Sequence, residues 1–304
     1  MQQQQAAVIV EPRNFELALP LVILNAISVL PENWQLYLFH GTKNRVLCEE
    51  LARFTENSFG RRVILVPLAS PNLTIPEYNQ LLCSTWFWEQ IETWSHVLVF
   101  QTDSYLLENS SHKIDEFLDF DYVGAPWKHL RNLRGGNGGL SLRRKSAMID
   151  AAQHFSGRAS RQPEDVRICR FLAKFPEMYH LPAPEVAQTF SVESIYYPKP
   201  FGIHKAYARL NRQQWRLLVL IEPALAHVVN VANYERIAQQ QKDKWQKQHR
   251  TANCVTTPLL VIPRTVHVAR AAAARFLVVR RSSSARAREE KVNKLAYAKK
   301  RVDE

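Results

Sequence analysis

Four times in its first hundred residues this chain sets a short apolar run ahead of a longer helical stretch or a turn, and that alternation limits the folds open to it. The runs are Ala7–Val10, Trp34–Phe39, Arg62–Leu68 and Val97–Phe100. Each is rich in β-branched, leucine or aromatic residues and short enough to be a buried strand. Between them the pattern predicts a helix over Phe15–Leu30, stopped by Pro31. A second helix is expected over Asn44–Phe54, with Val46, Leu47, Leu51 and Phe54 on one side, and a third over the aromatic-rich Tyr78–Trp94. Strands that alternate with helices pair in parallel, so the expected fold is α/β, a mostly parallel sheet flanked by helices. Such sheets bind ligands at the carboxyl ends of their strands. Glu11, Arg13, His40 and Asp103 follow the apolar runs and are expected on that rim.

The next hundred residues are less regular. Asp119–Trp127 and Leu140–Arg144 are strand-like, and helices are predicted over Lys145–Phe155 and over Glu164–Phe175, the latter just after Pro163. Charge marks a boundary beyond them. Residues 206–304 hold 20 Lys and Arg against 7 Asp and Glu; the whole chain holds 40 against 28, which leaves 20 against 21 for residues 1–205. The excess of positive charge belongs to the last hundred residues. We therefore expect a nearly neutral folded body over residues 1–205 and a basic extension over residues 206–304. The extension is expected to be helical over Asn211–Val231 and Tyr234–Arg250, to have apolar docking points at Leu217–Ile221 and Phe276–Val279, and to end in a disordered Ala/Arg/Ser-rich segment.

Cys48, Cys83, Cys169 and Cys254 form no CxxC pair, so free thiols are expected rather than a zinc cluster. The apolar stretch from Leu17 to Leu30 is too short for a membrane span and contains Pro20 and Asn25; a buried helix fits it better. The start of the chain has no basic segment ahead of an apolar one, so a cytoplasmic location is expected.

Four places carry chemistry. Gln101-Thr102-Asp103-Ser104 follows a central strand, where a carboxylate faces the ligand; the competing reading is a turn or helix cap. Gly135-Gly136-Asn137-Gly138-Gly139 concentrates four of the chain's nine glycines in five positions, which lets backbone approach a ligand, and no Walker loop follows. Glu164-Asp165 opens a helix, as a catalytic base with a neighbour or as acids favoured by the helix dipole. His204 and Lys205 close the segment Pro200-Phe201-Gly202-Ile203-His204-Lys205.

In that order, VFQTDS, YVGAPW, GNGGLSLR, EDV and PFGIHK resemble a family of GT-A-type glycosyltransferases recorded mainly as a domain of unknown function. The resemblance spans residues 7–205. It implies a GT-A-like, Rossmann-related fold and transfer of a hexosyl group from a nucleotide-sugar donor to a hydroxyl of a glycan or other acceptor, with inversion. It implies that Asp103 stands at the second acid of an Asp-x-Asp motif, Gln101 taking the place of the first, and that His204 completes a site for Mn²⁺ or Mg²⁺. By the same resemblance Asp165 is the base with Glu164 in support. Gly138 and Gly139 belong to the donor loop, and Glu11, Arg13, Tyr78, Asn79 and Thr102 lie near the nucleotide. Two other readings compete. One is a GT-A-like module that binds a nucleotide or glycan without transfer. The other is binding of nucleic acid or an anionic surface through the basic tail. Hydrolase chemistry fits least, since no GxSxG elbow occurs.

Overall fold

The structure is a computed structural model and describes residues 5–231 apart from 16, 93, 94, 159 and 230. The expected helix over Tyr234–Arg250, the apolar Phe276–Val279, the disordered end and Cys254 lie outside the described residues. The chain runs β1 (Gln5–Glu11), α1 (Ala18–Val29), β2 (Trp34–His40), α2 (Arg45–Phe59), β3 (Val63–Pro67), α3 (Ile75–Leu82), α4 (Thr85–Glu89), β4 (His96–Phe100) and β5 (Ser104–Leu106). It continues with β6 (Tyr122–Ala125), β7 (Asn137–Arg144), α5 (Lys145–Phe155), α6 (Glu164–Leu172), α7 (Pro184–Phe190), β8 (Ser191–Val192), β9 (Gly202–His204) and α8 (Arg212–Ile221).

Six strands form the main sheet in the order β3-β2-β1-β4-β7-β6. β1 pairs in parallel with β2 and β4, and β2 with β3; β7 is antiparallel to both β4 and β6. Only β7 is therefore reversed, and the sheet is the expected mostly parallel one. Alternate residues of each strand enter opposite cores. Val8, Val10, Val97 and Val99 face Phe87, Trp88, Met148, Ile168 and Leu172, under α4, α5 and α6. Ala7, Ile9, Leu98 and Phe100 face Leu19, Ile23, Cys48, Leu51 and Phe190, under α1, α2 and α7. Helices thus cover both faces.

The predicted Tyr78–Trp94 helix is two helices. A capping box of Thr74 and Glu77 starts α3 early, and the Ser84 hydroxyl accepts the Phe87 N–H to start α4 afresh. A small sheet, β5-β9-β8, went unexpected; its strands of two or three residues are too short to show a period. Asn25 holds it to α1: its amide donates to the Leu106 carbonyl (2.9 Å) and accepts the Leu106 N–H (2.8 Å). The core continues beyond residue 205, where Ala206, Leu218, Leu225 and Val228 pack with Tyr105, Val192 and Ile203. Among the described residues no helix is long and apolar enough to cross a membrane.

His96, at the start of β4, is buried. Burial and then Arg144 push its pKa down from 6.5 to about 4. The unfolded chain takes up a proton near pH 6.5 that the folded chain refuses until about pH 4. His96 therefore favours the fold fully above pH 6.5 and ever less as pH falls toward 4, with a slope on the order of 1 kcal/mol per pH unit. His96→Gln should flatten that stretch of a urea-midpoint profile against pH; an unchanged slope would assign the loss to other groups.

Candidate functional site

β1, β2, β4 and β6 all point their carboxyl ends at one rim, and the reversed β7 starts there, since Asn137 pairs with Ala125. Glu11 and His40 stand opposite each other at the ends of β1 and β2. The Glu11 carboxylate is buried and accepts from the Arg13 backbone N–H (3.0 Å), Nε (2.8 Å) and Nη2 (2.7 Å). Arg13 lies over the Phe15 ring. Asn44, also buried, braces this turn by donating to the carbonyls of Glu11 (2.6 Å) and Arg13 (2.9 Å) while accepting from Gly41 (2.9 Å). The His40 ring contacts the Gly41 carbonyl.

Beyond β4 the chain turns through Gln101, Thr102 and Asp103 into β5. The antiparallel pairing of β5 with β9 brings Ser104 opposite His204. His204 Nε2 then lies 3.2 Å from both Asp103 Oδ1 and Gln101 Oε1. Burial alone raises the Asp103 carboxyl, but His204 and then Lys205 outweigh it and hold it below the usual range. Lys205 donates its backbone N–H to the Asp103 carbonyl (2.9 Å) and has a positive φ of 52°. His204 Nδ1 is buried without a hydrogen bond, and the nearest carboxylate on that side is Glu193 at 4.0 Å. Thr102 has no side-chain hydrogen bond among the described residues.

Gly138 and Gly139, at the start of β7, connect this pair to the acids of α6. A Cβ on Gly139 would sit 2.1 Å from His204 Nε2, so only glycine lets the ring lie where it does. The Gly139 carbonyl accepts from the Ser104 hydroxyl (2.8 Å). On the other side Gly138 donates its N–H to Asp165 Oδ2 (2.9 Å), and its absent Cβ leaves room for Glu164 Oε1 at 2.4 Å. Gly135 and Gly136, at φ of 106° and 130°, make room for Cys169 and Gly124 in the same way. The space that the glycine loop leaves is thus occupied by the protein's own atoms.

The acidic pair at the start of α6 divides its work. Asp165 also accepts from the Val166 N–H (2.7 Å). Glu164 is engaged with Arg143: Nη1 donates to Oε2 (2.8 Å) and Nη2 to Oε1 (2.9 Å). Arg143 is fully buried, donates further to Ser141 Oγ and the Gly138 carbonyl, and stacks over Tyr122. Burial opposes its charge, but Glu164 outweighs burial and holds the guanidinium protonated. Asn79 accepts the Glu164 N–H (3.3 Å). The Tyr78 hydroxyl is buried beside Gln101 without a hydrogen bond of good geometry, and burial followed by Glu164 raises its pKa.

Asp103, Gly138, Gly139, Glu164, Asp165 and His204 are therefore gathered in one place, with Tyr78 and Asn79 against it. Glu11 and Arg13 bind each other, on the neighbouring part of the rim. Arg143, Asn44 and Glu193 were not read from the sequence. Arg143 follows Leu140-Ser141-Leu142, where alternation alone suggests a solvent-facing position. Among the described residues no group of three His, Cys, Asp or Glu side chains is arranged to hold a metal. Asp103 nonetheless offers a carboxylate oxygen of the kind a hard divalent ion takes, such an ion commonly having few protein ligands and completing its shell with substrate phosphates and water; the His204 nitrogen beside it is a softer donor.

Residues 66–204 match the model of a protein family of unknown function, DUF5672. No curated protein matches the sequence. Among solved structures, the glycosyltransferase GlyE of Streptococcus pneumoniae TIGR4 is similar in its apo form at 10% identity and a TM-score of 0.42, over 73% of this chain and 63% of that one. A second GlyE structure gives 10% identity and 0.42 over 74% and 64%. An active-site mutant of LgtC gives 13% identity and 0.39 over 55% and 70%. The chain thus spans less than two thirds of the GlyE chains that it matches.

Proposed function

We propose that this chain is a glycosyltransferase that moves a hexosyl group from a nucleotide-sugar donor to a hydroxyl of a glycan or other acceptor, with inversion. The observation that carries the reading is the Gly138-Gly139 segment. It sets a carboxylate–imidazole pair, Asp103 and His204, on one side and a separate carboxylate, Asp165, on the other, at the rim where such sheets bind ligands. A single displacement needs that division: one end to hold the leaving diphosphate, another to take a proton.

In this reading Asp165 accepts the proton of the acceptor hydroxyl as its oxygen bonds to the anomeric carbon. The bond from that carbon to the diphosphate oxygen breaks on the opposite face. The N–H groups of Gly138 and Val166 aim the carboxylate. Arg143 supports it indirectly by fixing Glu164 at the preceding position. Asp103 and His204 would hold Mn²⁺ or Mg²⁺, which when bound supplies charge neutralisation for the departing diphosphate. The buried Tyr78 hydroxyl, short of a partner, is a candidate contact to the donor.

A thermal-shift titration of the full chain with UDP-, GDP- and CMP-sugars, with and without Mn²⁺, tests the reading. One donor should raise the melting temperature, more so with metal, and Asp103→Ala should remove the effect. Asp165→Asn should keep that shift and lose transfer by about 10²–10⁴-fold; full transfer by this variant would sink the base assignment. A second reading is favoured by Gln101 standing at the place of an acid and by the engagement of Glu164 with Arg143: a module that binds a nucleotide or glycan and transfers nothing. A donor-induced shift with no turnover under any condition would select it.

A further inference from the structure

Two segments reach the rim beside Asp165, and both are basic. One is residues 126–136, which joins the carboxyl end of β6 to the reversed start of β7. The other joins α5 to the acid-bearing start of α6 and is described at residues 156–158 and 160–163. Residues 126–163 hold 8 Lys and Arg and a single acid, Asp150, although residues 1–205 as a whole are nearly neutral. Three of the eight are buried or half-buried and used internally: Arg143 by Glu164, Arg144 by Asp121, and Lys145 by the Ile91 carbonyl; of the rest, Arg131 donates to the Lys128 carbonyl (3.3 Å) and Arg158 bonds His154 (3.2 Å). Asp150 accepts from the Tyr179 hydroxyl. The other five, Lys128, Arg131, Arg134, Arg158 and Arg161, are exposed, and none forms an ion pair with a carboxylate among the described residues.

Lys128, Arg131, Arg134 and Arg158 stand on anchored backbone. Trp127 is buried, Leu130 and Leu133 pack against the core under α4 to α6, and the Leu133 N–H closes a turn on the Leu130 carbonyl (2.9 Å). Arg158, at the start of the second segment, is held by Arg167, which donates to its carbonyl (2.7 Å) while lying over the Phe155 ring. Like charges on adjoining connections repel one another, and an anion placed among them relieves the repulsion. Four of the five are arginines, whose planar fork matches phosphate and carboxylate oxygens in pairs.

We propose that this basic lip binds the anionic group of the acceptor, a sugar bearing a phosphate or a carboxylate, and so turns its free hydroxyl toward Asp165. The acceptor role rests on the transferase reading; the anion site itself does not. The full chain is titrated calorimetrically with methyl glucoside, glucose 6-phosphate and glucuronate. At least one of the two anionic sugars should bind about tenfold tighter than the neutral one, and the better of the two names phosphate or carboxylate. The triple variant Arg131→Ser, Arg134→Ser, Arg161→Ser should lose that preference at an unchanged melting temperature. Equal binding of all three sugars overturns the proposal. So does a preference that survives in the variant, which would put the anion elsewhere on the chain. An RNA oligonucleotide that binds far more tightly than either sugar, and is lost in the variant, would make the lip a nucleic-acid contact instead. An anion preference without any donor-induced thermal shift would leave the lip standing and remove only the transferase reading.

Discussion

Arg143→Ala is expected to lower stability by about 3–5 kcal/mol, because it strands the Glu164 carboxylate without its partner in a dry interior. Both side chains are almost wholly buried, and their two hydrogen bonds are short and parallel. For a domain of this size the loss corresponds to roughly 6–20 °C in melting temperature. Alanine also removes the stacking partner of Tyr122 and the donor to the Gly138 carbonyl, so the start of β7 loosens as well. The control is the pair Arg143→Met with Glu164→Leu, which leaves no buried charge behind. It should recover much of the loss, since an apolar replacement of an ion pair is often neutral. Urea unfolding of the two variants checks this. A single variant as stable as the parent would mean that the pair contributes nothing to the fold.

Gly139→Ala is expected to leave the fold largely intact and to abolish the response to donor and metal. Its Cβ would coincide with the His204 ring, whose Nε2, Cε1 and Cδ2 lie 2.1, 2.3 and 2.4 Å away. The ring must swing out, which separates it from Asp103 and Gln101. A displacement of this order costs about 10²-fold in transfer, beside an overpacking penalty of about 1–3 kcal/mol. Gly60→Ala is the control. Gly60 caps α2 at a φ of 65° with nothing near its would-be Cβ, so alanine there costs about 1 kcal/mol and leaves the site untouched. If Gly139→Ala keeps the metal-dependent donor shift, His204 is not part of the metal site.

Much of the main sheet was readable because β1, β2 and β4 are continuous apolar runs, buried on both faces, with polar residues at their ends. β7 was read only from Leu140, yet it begins at Asn137, because glycines carry no strand signal. The reversal of β7 left no local mark either; direction is set by what a strand pairs with, and that information is distant in sequence. The same holds for the site. Asp103, Asp165 and His204 could be singled out because each follows a legible element or motif. Arg143 and Glu193 could not, since the groups that give them a role, Glu164 and His204, are brought to them only by tertiary packing. Asn25, read as an interruption of an apolar helix, proves to supply both hydrogen bonds that a missing strand neighbour would give to Leu106.

The buried thiols offer a clock for each side of the molecule. Cys48 lies in the core under α1 and α2, and Cys169 in the core under α5 and α6. Burial pushes the Cys48 thiol up to about 12 and the Cys169 thiol also far upward, so neither reacts while its layer is closed. Alkylation of either one therefore reports the opening of its own layer. With Cys83 and Cys254 replaced by serine, the two labelling rates tell whether the sheet loses its two coats of helices together or one before the other.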